Sequence, residues 1–267
     1  MDAGEMELLS ETLRKTMTAA SGPALDAALA ELGWAELLAE FPGVAIPVVF
    51  RLLGETGAHA PVLNDVVLGA AGLPAGGAPA LPYTGGRWVV WERGPEDPGR
   101  SGGMLDTELP LRLAPPGDDG DAVLLDAGRR ALGWWLLGSG RAMVSLARTH
   151  VLDRVQFGRP LASFQAVRHR LAETFVALEG AEAALVAAED SFSCLLAKAA
   201  AGQAALTAAR HCQQVLGGIG FTAEHPLHRH VRRALVLDGL LGSARELTRE
   251  AGARIRTEGS APRLVQL

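Results

Sequence analysis

The chain has 267 residues, enough for one large domain or two smaller ones, and 48% apolar against 21% charged residues excludes disorder on composition. Its 30 Asp and Glu outnumber 25 Lys and Arg, a formal net charge of -5, so a nucleic-acid backbone is not an expected partner. The acidic N-terminus MDAGEMELLSE lacks the basic and apolar regions of a secretory signal, and the longest apolar runs, around 131–137 and 44–50, fall short of the roughly 20 residues of a bilayer span; a cytosolic protein is expected.

Residues from about 5 to 57 read as three short helices, MELLSETLRKTM, PALDAALAELGWAELLAE and AIPVVFRLLGETG, with apolar residues three or four apart and Gly or Pro near the ends. From about 70 to 122 the texture changes to AAGLPAGGAPALPYTGG, RWVVWERG, TELPLRLAPPGDDGD and AVLLDAG, which read as short strands between turn-formers. The helical period returns near Arg129. Leu161, Phe164, Val167, Leu171, Phe175, Leu178 and Leu185 are spaced to share one stripe of a long helix. The alanine-rich SFSCLLAKAAAGQAALTAARHCQQVL reads as a second, ending at GGIG, and a last helix from about Pro226 breaks near DGLLGS and resumes at ARELTREAGARI. The expected architecture is mainly α: an N-terminal helical segment (1–60), a reduced β middle region (61–125) and a C-terminal four-helix bundle (126–267).

Several short motifs have bland explanations. GIGFTA has the GxGxxA form of a dinucleotide fingerprint but follows a helix, where the fingerprint requires a strand. HPLHRH brings together His225, His228 and His230 with only Glu224 beside them, which reads as a solvated helix start rather than a metal site. The run Arg229, Arg232 and Arg233 reads as a face turned to water in preference to an anion site, GSG at 138–140 as close helix packing, and Cys194 and Cys212 as buried free thiols.

RVQFGRPLASFQAVRHRLAE, CQQVLGGIGFTAEHPLHRHVRRA and, more weakly, LAELGWAELL and RLLGETGAHAP together resemble the acyl-CoA dehydrogenase family: its Arg-x-x-Phe-Gly-x-x-Leu then Phe-Gln, its Gln-x-x-Gly-Gly-x-Gly-(Phe/Tyr) then Glu-x-Pro, and its first helical domain. The resemblance implies FAD, gripped across a subunit interface. Arg154 would meet the pyrophosphate, Gln165 the diphosphate or adenosine end, and Gln214 with Gly217 and Gly218 the adenine end; Gln156, Phe157 and Ser243 occupy further cofactor-binding positions.

The family's base, a glutamate that removes the substrate α-proton while a hydride passes from the β-carbon to flavin, is missing. Leu241 stands at its usual position before Gly242 and Ser243, and Gly128 at the alternative one. Asp238 and Asp126 are the nearest carboxylates in sequence, each displaced from the required place. A Thr-Glu-Pro-type flavin-edge strand is also absent from 60–121. The resemblance therefore implies a subunit that pairs with a complete acyl-CoA dehydrogenase subunit and completes its FAD site, as in the heteromeric enzymes of sterol catabolism, the substrate being an acyl-CoA and possible acyl groups including steroid ones. The rival expectations are a dimerisation protein without flavin and a homomeric dehydrogenase using Asp238.

Overall fold

The computed structural model describes residues 2–94, 105–115 and 122–261, with the side chains of 122–124 outside that set. Five helices open the chain: α1 (Ala3–Ala19), α2 (Pro23–Glu31), α3 (Trp34–Glu40), α4 (Pro42–Thr56) and α5 (Val62–Ala70). The expected second helix is two, because Gly33 takes φ 78 and its left-handed turn ends α2 and starts α3. The helix α5 was not foreseen. Its signals were present in Pro61 at the N-cap and Asp65 in the first turn.

The middle region contributes one antiparallel sheet in the order β1-β2-β3, from Ala80–Tyr83, Arg87–Trp91 and Leu111–Ala114, with Leu81 opposite Val89 and Val89 opposite Leu113. AVLLDAG, expected as a strand, belongs instead to the 32-residue helix α6 (Ala122–Asp153), because a short apolar run has no period of its own to distinguish the two. The turn-rich 116–121 lies outside the described residues.

A two-residue hairpin, β4 (Val155–Gln156) and β5 (Arg159–Pro160), leads through a 3-10 turn into α7 (Gln165–Val186). Then come α8 (Ser191–Leu216), a 3-10 turn at Gly217–Phe221, α9 (Leu227–Gly239) and α10 (Ala244–Glu258). The fold is the expected mainly α one, with α6, α7, α8 and the α9–α10 pair as the bundle. Asp190 and Ser193 form a capping box that starts α8, and Gly217 at φ 66 ends it.

The stripe expected on α7 is only partly the buried one. Its core line is Thr174, Leu178, Ala181 and Leu185, whereas Leu161 precedes the helix and Phe175 is 50% exposed. The core line advances by alternating steps of three and four from Leu171, so position 175 falls on the outer flank. By length and hydropathy Ser191–Phe221 qualifies as a membrane span, which counting unbroken apolar runs overlooked because alanine carries it; 61% of its most apolar window is buried in the bundle.

Glycine lets the N-terminal helices seat directly on the bundle. A Cβ at Gly54 of α4 or Gly138 of α6 would collide with the other helix's backbone, as close packing at GSG requires. A column of rings, Trp34, Phe50, Trp135 and Trp91, with successive centroids 6.4, 5.7 and 5.6 Å apart, then joins N-terminal helices, bundle and sheet in one core.

Candidate functional site

The two glutamate positions of the resemblance, 113 residues apart in sequence, meet in space. A Cβ built on Gly128 of α6 would stand 2.6 Å from Leu241 Cδ1, 3.1 Å from Val67 Cγ2 and 3.9 Å from Leu63 Cδ1. The spot is therefore walled by hydrocarbon from α5 and from the break between α9 and α10, and Leu241 is 1% exposed. Neither nearby aspartate points there. Asp126 accepts from Ser191 Oγ at 3.2 Å. Asp238 Oδ1 accepts from the Ala244 amide at 3.0 Å and faces Gly202 of α8, so its carboxylate caps the start of α10.

The backbone around Leu241 is nonetheless held as if its position mattered. Leu241 has φ 54, a left-handed conformation that costs a β-carbon-bearing residue of order 1 kcal/mol. Its amide donates to the Pro82 carbonyl at 2.8 Å, and its carbonyl accepts from Arg129 Nε at 3.2 Å. The fully buried Lys198 donates to the carbonyls of Asp238 (2.6 Å) and Gly242. Burial brings the Lys198 ammonium down to about 8, against the pull of Asp238. Sheet and break are also joined by the Thr84 amide to the Gly239 carbonyl at 2.8 Å. Ser243 closes the break as the N-cap of α10: its Oγ and amide both bond Glu246 Oε2, at 2.7 and 2.9 Å. Burial pushes the Glu246 carboxyl up, but the Gly85 amide and the two Ser243 donors outweigh it and hold the group at about 2. Sequence reasoning missed Lys198 and Arg129; a lone lysine in an alanine-rich run was the available signal.

The other candidate residues gather at the far end of the bundle. From Lys198 to Gln214 the axis of α8 rises about 24 Å, so Ser243 stands well away from them. Arg154, Gln156 and Phe157 occupy the hairpin that caps α6, where Phe157 at φ 54 and Gly158 at φ 78 make the turn and Phe157 is 88% exposed. Gln165 opens α7, and its side chain meets His169 Nε2 at 3.4 Å. Gln214 is exposed on the last turn of α8, and a Cβ at Gly217 or Gly218 would meet nothing within 4 Å. One guanidinium, two exposed carboxamides and bare glycine backbone around open space are a donor set suited to a diphosphate and an adenine, so these residues fit the ADP half of FAD.

GIGFTA is the 3-10 turn after α8, with a helix and no strand before it. In HPLHRH, His225 and His228 serve the first turn of α9, where the Leu227 amide donates to His225 Nδ1 at 3.2 Å. His230 corrects the solvated reading: it is buried against Gly57 at the end of α4. The basic run is corrected at Arg233, which is buried on Asp106 where segment 105–109 crosses this face of α9, whereas Arg229 stays exposed to water and pairs with Glu108 at 3.0 Å. Cys194 and Cys212 are buried and unpaired with each other, and burial pushes the Cys212 thiol to about 12.

The described residues form an α-helical bundle with an exposed, phosphate-suited end and a pinned break between its last two helices. Residues 122–255 match the acyl-CoA dehydrogenase C-terminal domain, half of the chain, and the protein belongs to the acyl-CoA dehydrogenase family. It is 33% identical over 176 residues to the acyl-CoA dehydrogenase IpdE2 of Mycobacterium tuberculosis, covering 63% of this chain and 54% of that one. It is 40% identical over 135 residues to FadE34 of the same organism, covering 45% and 19%. The chain thus spans about half or less of the length of these relatives. Among solved structures, a variant of the Tcur3481–Tcur3483 steroid acyl-CoA dehydrogenase superposes with TM-score 0.71 at 20% identity over 97% of this chain and 99% of that one. The ChsE4–ChsE5 complex of Mycobacterium tuberculosis does so with TM-score 0.69 at 19% identity over 98% and 99%. At these identities the likeness is one of fold.

Proposed function

We propose that this chain is the subunit without a base in a two-component, FAD-dependent acyl-CoA dehydrogenase. It would complete the ADP end of a flavin site whose ring pocket and glutamate belong to an unlike partner. The reaction of the assembly is α,β-dehydrogenation of an acyl-CoA thioester, with a steroid-type acyl group as the substrate class. The observation that carries this reading is the meeting of Gly128 and Leu241: both places for a proton acceptor fall on one spot, and that spot is hydrocarbon. Meanwhile Arg154, Gln165, Gln214 and the glycine pair keep a phosphate-suited end that a mere dimerisation module has no need of.

When bound, FAD would supply the hydride acceptor. This chain's part is to bind and orient: Arg154 neutralises diphosphate charge, and Gln165 and Gln214 fix the adenosine by hydrogen bonds. Association with a partner is supported by apolar surface at that same end and along α7, where Phe157, Val176 and Phe221 are 88%, 68% and 67% exposed. The steroid assignment is supported by the two-component steroid enzyme among the neighbours of this fold.

Expressed alone, the protein should be colourless or flavin-poor, because its three-stranded sheet docks by backbone hydrogen bonds onto the α9–α10 break and offers little cover for a flavin ring. Absorbance in the flavin bands decides it, and stoichiometric FAD on the lone chain would refute the reading. Co-expressed with a full-length family member that keeps its glutamate, it should form a mixed assembly with one FAD per unlike pair by native mass spectrometry. A homodimer indifferent to the partner sinks the proposal.

The homomeric reading with Asp238 as base makes the opposite forecast. Asp238→Asn keeps an oxygen for the Ala244 amide, so dehydrogenation by the mixed assembly should be nearly unchanged. A rate drop of about two to four orders of magnitude with flavin and assembly intact would instead make Asp238 the base.

A further inference from the structure

The phosphate-suited end also holds a buried histidine. His211, on α8 one turn before Gln214, is 6% exposed, and both its ring nitrogens are engaged. Thr174 Oγ1 donates its single proton to the Arg170 carbonyl at 2.8 Å. In the contact between Thr174 Oγ1 and His211 Nδ1, also 2.8 Å, the imidazole must therefore be the donor. His211 Nε2 is left with its lone pair, and it accepts from Arg170 Nη1 at 3.2 Å. The result is a closed ring from Arg170 through Thr174 and His211 back to Arg170, and it fixes one tautomer of His211. That tautomer cannot be protonated without setting two cations against each other. Burial, then Arg170 and Arg210, accordingly hold the imidazole below its ordinary value, against Glu173.

The ring uses one of the five donors of the guanidinium and leaves the other four outside it. Arg170 is exposed, and no described carboxylate lies within ion-pair distance of it. It stands about 7.5 Å of helix rise inside α7 from Gln165, facing the last turns of α8 that carry Gln214. A cation whose rotamer is fixed by a buried imidazole, rather than neutralised by a carboxylate, is set up to meet an anion brought by something else.

We infer that Arg170 is a second cation for the anionic ligand bound at this end of the bundle, with His211 as its positioning residue through the closed hydrogen-bonded ring with Thr174. The ligand class is a nucleoside diphosphate or the diphosphate half of a dinucleotide. The inference builds on the flavin reading, to which it adds a contact and the device that orients it.

The test uses the full chain and ADP as probe, with affinities measured by calorimetry at two salt concentrations. Arg170→Gln should weaken ADP binding about tenfold and flatten its salt dependence, with circular dichroism unchanged. His211→Leu should do the same through the lost anchor, whereas His211→Gln, whose amide donates to Thr174 and whose oxygen accepts from Arg170, should keep most of the affinity. Should His211→Leu fail to fold, Arg170→Gln decides alone. Arg154→Ala, run in parallel, separates the two readings. If it weakens ADP binding while Arg170→Gln does not, the inference about Arg170 is overturned and the flavin reading stands; if the wild-type chain binds no ADP, or neither variant matters, the inference about Arg170 is overturned, and the flavin reading is judged by FAD in the mixed assembly with its partner.

Discussion

Arg154→Ala should lower FAD affinity of the mixed assembly about a hundredfold, the effect of losing a charge-assisted contact to a phosphate worth roughly 2 to 3 kcal/mol once the partner has excluded water. The forecast follows from where the residue sits. Arg154 is the first residue after α6, its carbonyl accepts from the Leu161 amide at 2.9 Å and its amide donates to the His150 carbonyl at 2.9 Å, so its backbone is fixed at both groups while its side chain is exposed. Truncation therefore removes a charge without removing a fold contact. The measurement is flavin released per unlike pair after dilution, with the thermal midpoint as control. Unchanged retention would move Arg154 to a role in the hairpin alone, and a lowered midpoint would say that the exposed side chain matters to folding after all.

The helical bundle was readable from residues because its signals are local: apolar spacing, the capping pair at Asp190 and Ser193, and glycine at 217. The break between α9 and α10 was equally plain at DGLLGS. What escaped depends on contacts distant in sequence. Nothing near Lys198 says that two carbonyls 40 and 44 residues later will accept its hydrogen bonds. Nothing near Arg233 says that Asp106 will cross its path. The meeting of Gly128 and Leu241 is of the same kind: each vacancy was visible by counting along the chain, but that one leucine covers both is a fact of packing. The ring of Arg170, Thr174 and His211 was hidden for a further reason, since a histidine and an arginine on neighbouring helices look like repulsion until the tautomer is worked out.

Asp106→Ala should be strongly destabilising, by about 3 kcal/mol, because it leaves the buried charge of Arg233 with the partly exposed Glu108 as its remaining carboxylate. Both members are 2% exposed. Arg233 ties two other segments to α9: it meets the Asp106 carboxylate and, at 3.1 Å, Glu108 of segment 105–109, and the Ala58 carbonyl at 3.2 Å after α4. Chemical denaturation at pH 7 measures the loss, and Asp106→Ala with Arg233→Met should recover most of it, since the penalty comes from the unpaired charge and not from the absence of the pair. A double variant as unstable as Asp106→Ala would show that Asp106 acts through shape. Two imidazoles sharpen the test. Burial first, and then Arg233, hold His59 and His230 at about 4, below the ordinary 6.5 of the unfolded chain. Between those values the unfolded state binds more protons, so stability is fully present above about pH 6.5 and is lost as the pH falls towards 4. The Asp106 charge is one of the influences that hold His59 up. Removing it should carry the acid loss of stability to lower pH, so a denaturation midpoint that goes on falling below pH 4 in Asp106→Ala, past the point where the wild-type contribution of His59 ends, is the expected result, and curves that stay parallel there would separate His59 from the ion pair.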